Sequence, residues 1–512
     1  MTDRLSATDA AFLYSEDTST PMHVGGVVIL QPAPGTFDYQ QVVDLIGARL
    51  SLVPRYRQRV RFVPGRLARP VWVDDEDFDL TYHVRRSALP KPGTMASLDD
   101  LVGRLISRPL DRNRPLWEMY VIEGLEGGRI AIVNKTHHAM VDRIGAVDVA
   151  AAILDIARRP RTLPDQPWIP VPPPSDIDLV VDAVADIASR PSDLIDVVRL
   201  AAADVGSTVA RLAKVGAEAA ELVRRTVNPA PRSVLTVTMS GQRRFASFRA
   251  DLADIKAIRT AHGASVNDVI LAVIASALRT WLLSRGEAVT PSTTLRALVP
   301  MSVRPAPSSG DSGEGASSVP VVSYLLDMPV AEPNPVMRLH QVSFAMSAHL
   351  DSGRQVGADS LLELGRFAPP TLHALGARVA GQLSGRMYNL LITNAPGPQV
   401  PLYAGGSPVV AMYPVAPLAR GQALAVACTS YNGGVFFGLT ADRDAIPDVE
   451  EFAVHIGEAI EELLPHQAGP LPGITTPARA KRSARRPARP KLSGEAQSGE
   501  AQSGEAQSGE QQ

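Results

Sequence analysis

Two adjacent histidines, His137 and His138, stand where a predicted strand gives way to a loop. The preceding segment RIAIVNKT (residues 129–136) is rich in β-branched residues and opens at a glycine turn, which is typical of a β-strand. The following segment AVDVAAAILDIA (residues 146–157) is apolar and favours a helix. With further helical and strand patterns mixed along the chain, the sequence predicts an α/β fold built from mixed sheets.

The two histidines cannot both enter one small site if the pair is still extended. Consecutive side chains of a strand point to opposite faces, so one imidazole would act and its neighbour would pack. A histidine is a natural general base because its unperturbed pKa is about 6.5. Asp142 follows four residues after His138 and could orient the imidazole. A pair of packed, hydrogen-bonded histidines remains the alternative.

A metal site is disfavoured at this position. Adjacent strand histidines diverge, no HExxH spacing is present, and the single cysteine, Cys428, excludes a thiolate cluster. Cys428 lies in an apolar predicted strand, where a buried structural thiol explains it better than a nucleophile.

The histidine stretch resembles the HHxxxDG motif of the chloramphenicol acetyltransferase-like superfamily. Within that superfamily the chain resembles the bacterial wax ester synthase/acyl-CoA:diacylglycerol acyltransferases, over nearly all of residues 4–465. The blocks that carry the resemblance are LSATDAAFLYSED (Leu5 to Asp17), PMHVG (Pro21 to Gly25), RPLWE (Arg114 to Glu118), SVNDVILAV (Ser265 to Val273), ALVPMSVR (Ala297 to Arg304), NLLITNAPGP (Asn389 to Pro398) and YPVAPLARGQAL (Tyr413 to Leu424).

The resemblance implies a two-domain, condensation-domain-like fold with a tunnel between the domains. It implies transfer of an acyl group from long-chain acyl-CoA to diacylglycerol, giving triacylglycerol, or to a long-chain alcohol, giving a wax ester. His138 would be the general base, with His137 and Asp142 beside it in the motif. Acyl-CoA is then a co-substrate, and no metal or other cofactor is expected.

One position departs from the family pattern, because Arg143 replaces the glycine of the motif. A glycine there could serve a positive φ or leave room beside the reacting groups. Two alternatives follow: a catalytically impaired, lipid-binding relative, and an acyltransferase of the condensation or polyketide-associated type that takes its acyl group from a carrier protein.

Four more residues are candidates for supporting the site. The resemblance suggests that Asn267 faces the domain interface and that Arg304 pairs with Asp142, although Ser265 and Asp268 alone would explain the local pattern as a helix cap. Thr393 and Asn394, at a predicted strand end, could donate hydrogen bonds to an oxyanion or simply cap the Pro396-Gly397 turn.

Length and composition set the domain plan. The chain has 512 residues, which predicts two domains of about 200 residues each. We expect an N-terminal domain at 1–165, a helical connection at 166–233, a C-terminal domain at 234–468 and a disordered tail at 469–512. The net charge of −2 argues against a nucleic-acid surface.

The chain is expected to stay in the cytoplasm. Its N-terminus lacks a basic segment followed by an apolar core, so no signal peptide is predicted. The tail carries seven basic residues between Arg479 and Lys491, followed by SGEAQ repeats. This basic block either docks on the inner membrane face or a lipid droplet, or is a solvated linker.

Overall fold

A seven-stranded and a six-stranded β-sheet form the framework of the protein. The computed structural model describes residues 3–141, 153–161, 167–188, 229–302, 321–352 and 386–465. These residues belong to one compact unit that ends at Pro465. Both large sheets combine parallel and antiparallel pairs, so the predicted α/β class with mixed sheets is confirmed.

The strands are β1 (Asp3–Arg4), β2 (His23–Leu30), β3 (Gln58–Arg61), β4 (Val71–Asp74), β5 (Val84–Ala88), β6 (Trp117–Leu125), β7 (Arg129–His137), β8 (Leu154–Asp155), β9 (Arg243–Asp251), β10 (Leu295–Ser302), β11 (Val321–Met328), β12 (Leu390–Pro396), β13 (Tyr403–Ala404), β14 (Ser407–Val415), β15 (Leu424–Tyr431) and β16 (Gly434–Asp442). The α-helices are α1 (Ala7–Ser15), α2 (Tyr39–Arg49), α3 (Leu80–His83), α4 (Met95–Ser107), α5 (Asp176–Ala188), α6 (Leu252–His262), α7 (Val266–Ser284), α8 (Pro335–Ser352) and α9 (Val449–Leu463).

The first sheet has the strand order β5-β6-β7-β2-β14-β13-β8, and the second has the order β11-β10-β12-β15-β16-β9. A small third sheet, β1-β4-β3, holds the N-terminus. The predicted strand at 129–136 is β7, which pairs with β2 and β6 at the centre of the first sheet.

Strand β14 links the two halves of the chain. It comes from the predicted C-terminal domain but pairs antiparallel with β2 in the first sheet. Where it passes β16 of the second sheet, Gly438 leaves no room for a side chain, because a Cβ there would lie 1.8 Å from the carbonyl oxygen of Pro414. The sheets are therefore interlocked by a strand from the later half of the sequence.

Helix α7 forms the centre of the second core. Ser265 and Asp268 make the predicted capping box at its start. The helix is long and apolar enough to cross a membrane by length and composition, but 72% of its apolar stretch is buried inside the protein. Apolar residues on all sides are the expected pattern for a buried core helix.

The predicted helix at 146–157 is wrong at its C-terminal end. Leu154 and Asp155 form strand β8, which pairs with β13 at the edge of the first sheet. The buried Asp155 carboxylate accepts two hydrogen bonds from Arg49, at 3.2 and 2.8 Å. This long-range ion pair and edge pairing outweigh the local helical pattern. Residues 142–152 lie outside the described ranges, as do most of the predicted connection at 166–233 and the tail from residue 466.

The close approach of β14 to β16 predicts that Gly438→Ala lowers the free energy of unfolding by about 1–3 kcal/mol, since the methyl group must displace backbone. Urea denaturation measures the change. Gly47→Ala in α2 is the matched control, because its Cβ would meet only the Leu80 Cδ2 atom, at 3.2 Å. Alanine is also the better helix former, so this control should be neutral or stabilising. Equal free energies of unfolding for Gly438→Ala and Gly47→Ala would contradict the role of Gly438 in the close approach of β14 to β16.

Candidate active site

His137 is the last residue of β7 and is buried. Its Nδ1 accepts a hydrogen bond of 3.0 Å from the backbone N–H of Ala139. An accepting Nδ1 places the proton of the neutral ring on Nε2, which lies 3.4 Å from Oε2 of Glu16. The first histidine of the motif is therefore turned away from a solvent-facing role and toward a buried carboxylate.

Glu16 is the centre of this buried cluster. Its carboxylate also lies 3.4 Å from Nε2 of His23 and 2.5 Å from a guanidinium nitrogen of Arg112, and it accepts a 3.2 Å hydrogen bond from the backbone N–H of Met22. Burial alone would raise the pKa of Glu16, but the contacts with His137, His23 and Arg112 hold it well below its usual range. The Glu16 carboxylate is therefore ionised near pH 7.

His23 completes the cluster from the neighbouring strand. It is the direct cross-strand partner of His137 in the β2–β7 ladder. Burial lowers the pKa of His23 to about 4, although the Glu16 carboxylate opposes this shift. The His23 imidazole is therefore neutral near pH 7.

His138 has a different environment from His137. It starts a 3₁₀ turn, His138–Met140, and its backbone N–H donates to the Met22 carbonyl at 2.8 Å. Its imidazole is half-buried and stacks on the Phe12 ring, with the ring centroids 3.9 Å apart. Phe12 and Glu16 lie four residues apart at the end of α1, so one helix contacts both histidines. Of the two motif histidines, His138 is the more exposed residue.

Asp142, Arg143 and Arg304 lie outside the described residues. Their predicted roles, including the pairing of Asp142 with Arg304, therefore stay predictions. Within the described ranges, no group of three or more His, Cys, Asp or Glu side chains is arranged to hold a metal ion.

Asn267 and Asn394 lie together, as an amide pair between α7 and β12. Asn394 Nδ2 donates to Asn267 Oδ1 at 3.1 Å, and Asn394 Oδ1 accepts from the Cys428 thiol at 3.1 Å. The Asn267 Nδ2 group is buried and donates to no other described residue. Thr393 and Asn394 lie within β12, which continues to Pro396, so the strand does not end where the sequence suggested.

Cys428 is unsuited to nucleophilic chemistry. It is buried in β15, and burial raises the pKa of its thiol to about 12. Since the thiolate is the reactive species, the expected structural role of this residue agrees with its environment.

Glu16 and Phe12 are site residues that the sequence analysis did not single out. Both belong to the block Leu5 to Asp17, which was quoted only for its resemblance. Ser6 and Asp9 make a capping box at the start of α1. Knowing where the helix begins predicts that Phe12 and Glu16 lie about one turn apart. It does not predict that they contact the histidines.

The sequence matches a known family over most of its length. Residues 5–270 match the wax ester synthase/diacylglycerol acyltransferase catalytic domain, and residues 321–464 match the WS/DGAT C-terminal domain. The chain belongs to the wax ester synthase/diacylglycerol acyltransferase family. It is an acyltransferase, and the family that its motifs indicated is confirmed.

Two relatives from Mycobacterium tuberculosis illustrate the similarity within this family. The probable diacylglycerol O-acyltransferase Tgs2 is 33% identical over 482 residues, covering 90% of this chain and 98% of the relative. The probable diacylglycerol O-acyltransferase Tgs3 is 43% identical over 260 residues, which is 51% of this chain and 96% of the relative.

Solved structures show the same architecture. The wax ester synthase/diacylglycerol acyltransferase from Marinobacter aquaeolei has a TM-score of 0.66 and 28% identity, covering 90% of this chain and 98% of that one. The first condensation domain of the CDA synthetase has a TM-score of 0.50 at 17% identity, covering 91% and 97% of the two chains. This second match concerns the fold alone, and the predicted chloramphenicol acetyltransferase-like, condensation-domain-like fold is confirmed.

The environment of His23 predicts that the fold loses stability between pH 7 and pH 5. The unfolded chain binds a proton at His23 near pH 6.5, whereas the folded chain does not until the pH approaches the lowered pKa of about 4. Stability present at pH 7 is therefore lost as the pH falls. His23 alone accounts for about 2 kcal/mol of this loss.

Urea denaturation at pH 7 and pH 5 measures this dependence in the wild type and in His23→Gln. The variant should show a smaller difference between the two pH values, whatever its absolute stability. His340→Gln removes an exposed imidazole from α8 and serves as the control. An unchanged pH dependence in His23→Gln would show that this histidine is not held neutral in the fold.

Proposed function

We propose that this enzyme transfers the acyl group of a long-chain acyl-CoA to the hydroxyl of a diacylglycerol or of a long-chain alcohol, with His138 as general base. Family membership and the relatives described as probable diacylglycerol acyltransferases support the substrate classes. The observation that carries the role of His138 is the contrast between the two motif histidines. His137 faces a buried carboxylate, whereas the half-buried His138 is stacked on Phe12.

The proposed reaction is a direct transfer between the two bound substrates. The acceptor hydroxyl gives its proton to His138 while its oxygen attacks the thioester carbonyl and forms the new C–O bond. The C–S bond then breaks, and the imidazolium returns the proton to the departing CoA thiolate. This route needs no acyl-enzyme, which agrees with the buried, protonated state of Cys428.

The amide pair is our candidate for stabilising the tetrahedral intermediate. Asn267 Nδ2 is a buried donor without an acceptor among the described residues. Asn394 Nδ2 donates to Asn267 Oδ1 and so fixes the orientation of the Asn267 amide. Such a preorganised donor can stabilise a developing oxyanion. Thr393, the preceding residue of β12, is the further candidate.

Both proposed substrates are long and apolar. We therefore expect a tunnel for their chains and a peripheral contact with the cytoplasmic membrane face or with lipid droplets. The basic block between Arg479 and Lys491 is suited to an anionic lipid surface, at about 1 kcal/mol per basic residue.

His138→Ala should lower kcat about 10²–10⁴-fold, the usual contribution of a general base. Release of the CoA thiol from palmitoyl-CoA measures turnover, first with diacylglycerol and then with hexadecanol as acceptor. His340→Ala removes an exposed histidine and should keep wild-type activity. Acceptor-dependent thiol release at the wild-type rate in His138→Ala would refute the proposed base. The acceptor that the wild-type enzyme prefers identifies the main product.

Glu16→Gln should lower kcat about 10-fold or more while the KM for acyl-CoA changes little, because the carboxylate positions the histidines and does not bind substrate. Removing its negative charge disfavours protonated imidazole nearby. The acidic limb of the pH–rate profile should therefore move to lower pH.

Glu16→Asp keeps the charge and should restore the position of this acidic limb, even where the shorter side chain lowers kcat. Thermal unfolding of all three proteins controls for folding. A lower kcat in Glu16→Gln with an unmoved pH–rate profile would indicate that Glu16 supports the fold only.

A further inference from the structure

A cleft of about 380 Å³ opens between strand β5 and helix α4, and its lining includes no residue of the amide pair or of the histidine cluster. Four arginines line it, together with Ser87, Tyr120 and two leucines of α4. The arginines are Arg85, Arg86, Arg104 and Arg108. Arg85, Arg104 and Arg108 bring positive charge to one concave surface, and such like charges repel one another unless negative charge is close by. Arg86 follows Arg85 in β5, so its side chain leaves the opposite face of the strand.

The protein supplies only part of that negative charge. Arg85 donates to the buried Glu118 carboxylate at 3.1 Å, and Arg86 donates to Glu123 at 2.6 and 3.2 Å. Neither Arg104 nor Arg108 forms an ion pair with a described residue, and both are exposed. The cleft therefore keeps two arginines whose charge is not balanced within the described part of the chain.

The buried charges beneath the cleft add to this excess. Lys135 Nζ lies 3.5 Å from the second oxygen of Glu118, which also accepts a 2.8 Å hydrogen bond from the Tyr120 hydroxyl. Glu118 is thus shared between Arg85 and Lys135. Four cationic side chains, including Lys135, therefore stand against the Glu118 carboxylate among the described residues in and below the cleft.

The end of α4 does not account for the two unbalanced arginines. Cations are often found at a helix C-terminus because its last carbonyl groups carry partial negative charge. Here Lys135 already donates to the carbonyl oxygens of Leu105 and Arg108, at 3.2 and 2.5 Å. The guanidinium groups of Arg104 and Arg108 remain available to a ligand.

We infer that this cleft is a binding site for phosphate groups of a phosphorylated ligand. Arginine binds phosphate through paired N–H donors, and the Ser87 hydroxyl adds a neutral donor. The volume is within the usual range for small-molecule sites, so it suits a diphosphate or a phosphorylated headgroup better than a single ion. CoA and anionic phospholipid headgroups share this phosphate chemistry.

Binding measurements test the inference without turnover, so their outcome is independent of the proposed acyl transfer. The double variant Arg104→Gln/Arg108→Gln is compared with Arg249→Gln/Arg259→Gln, which removes two exposed arginines from β9 and α6 and the same net charge. Calorimetry with CoA and with inorganic pyrophosphate measures binding in solution. Sedimentation with phosphatidylcholine vesicles containing phosphatidylglycerol measures binding to headgroups.

We expect the cleft variant to bind at least one of these probes ten-fold or more weakly than the wild type, while the control variant stays within two-fold. Added salt should weaken the wild-type interaction. A loss confined to CoA and pyrophosphate assigns the cleft to a soluble phosphate ligand, and a loss confined to vesicles assigns it to a lipid headgroup.

Equal binding of every probe by the wild type and the cleft variant, including no binding by either, overturns the inference. Thermal unfolding checks that the cleft variant is folded. The single variants Arg104→Gln and Arg108→Gln give the same test if the double variant is unstable, and each should show part of the loss.

Discussion

The carboxylate of Glu16 is the interaction on which the arrangement of this site depends. It is buried, and it joins helix α1 to His23 on β2, to His137 on β7 and to Arg112. A buried carboxylate is costly unless it is paired, so these partners must be in place when the site forms. Phe12, four residues earlier and within α1, stacks on His138. The position of α1 thereby fixes the surroundings of both motif histidines.

The second constraint is the exchange of β14 between the halves of the chain. The first sheet is complete only when β14 lies beside β2, and its passage over β16 requires the bare backbone of Gly438. The N-terminal sheet is thus completed by residues that follow α7 and β12, the elements that hold the amide pair. The interlocked strand makes the placement of the histidines and of the amide pair parts of one folded unit.

Local signals in the sequence predicted local structure. The helix cap at Ser265 and the β-branched pattern of β7 depend on neighbouring residues, and both are present in the structure. The contacts of Glu16 with His137 and of Arg49 with Asp155 bridge residues more than a hundred positions apart. Local sequence patterns do not indicate contacts between residues so far apart. For this reason the sequence predicted neither the cluster around Glu16 nor strand β8.

Two residues of strand β7 each contact a buried carboxylate, and the two clusters have the same arrangement. Lys135 contacts Glu118, and two residues further along the same face His137 contacts Glu16. Each carboxylate is also paired with an arginine that reaches solvent, Arg85 at 33% and Arg112 at 41% side-chain exposure. The arginine can keep part of its hydration while it neutralises a buried charge, which lowers the desolvation cost of the pair. This arrangement lets one strand hold two anionic groups in the core and present their cationic partners at the surface, where one of them lines the arginine cleft.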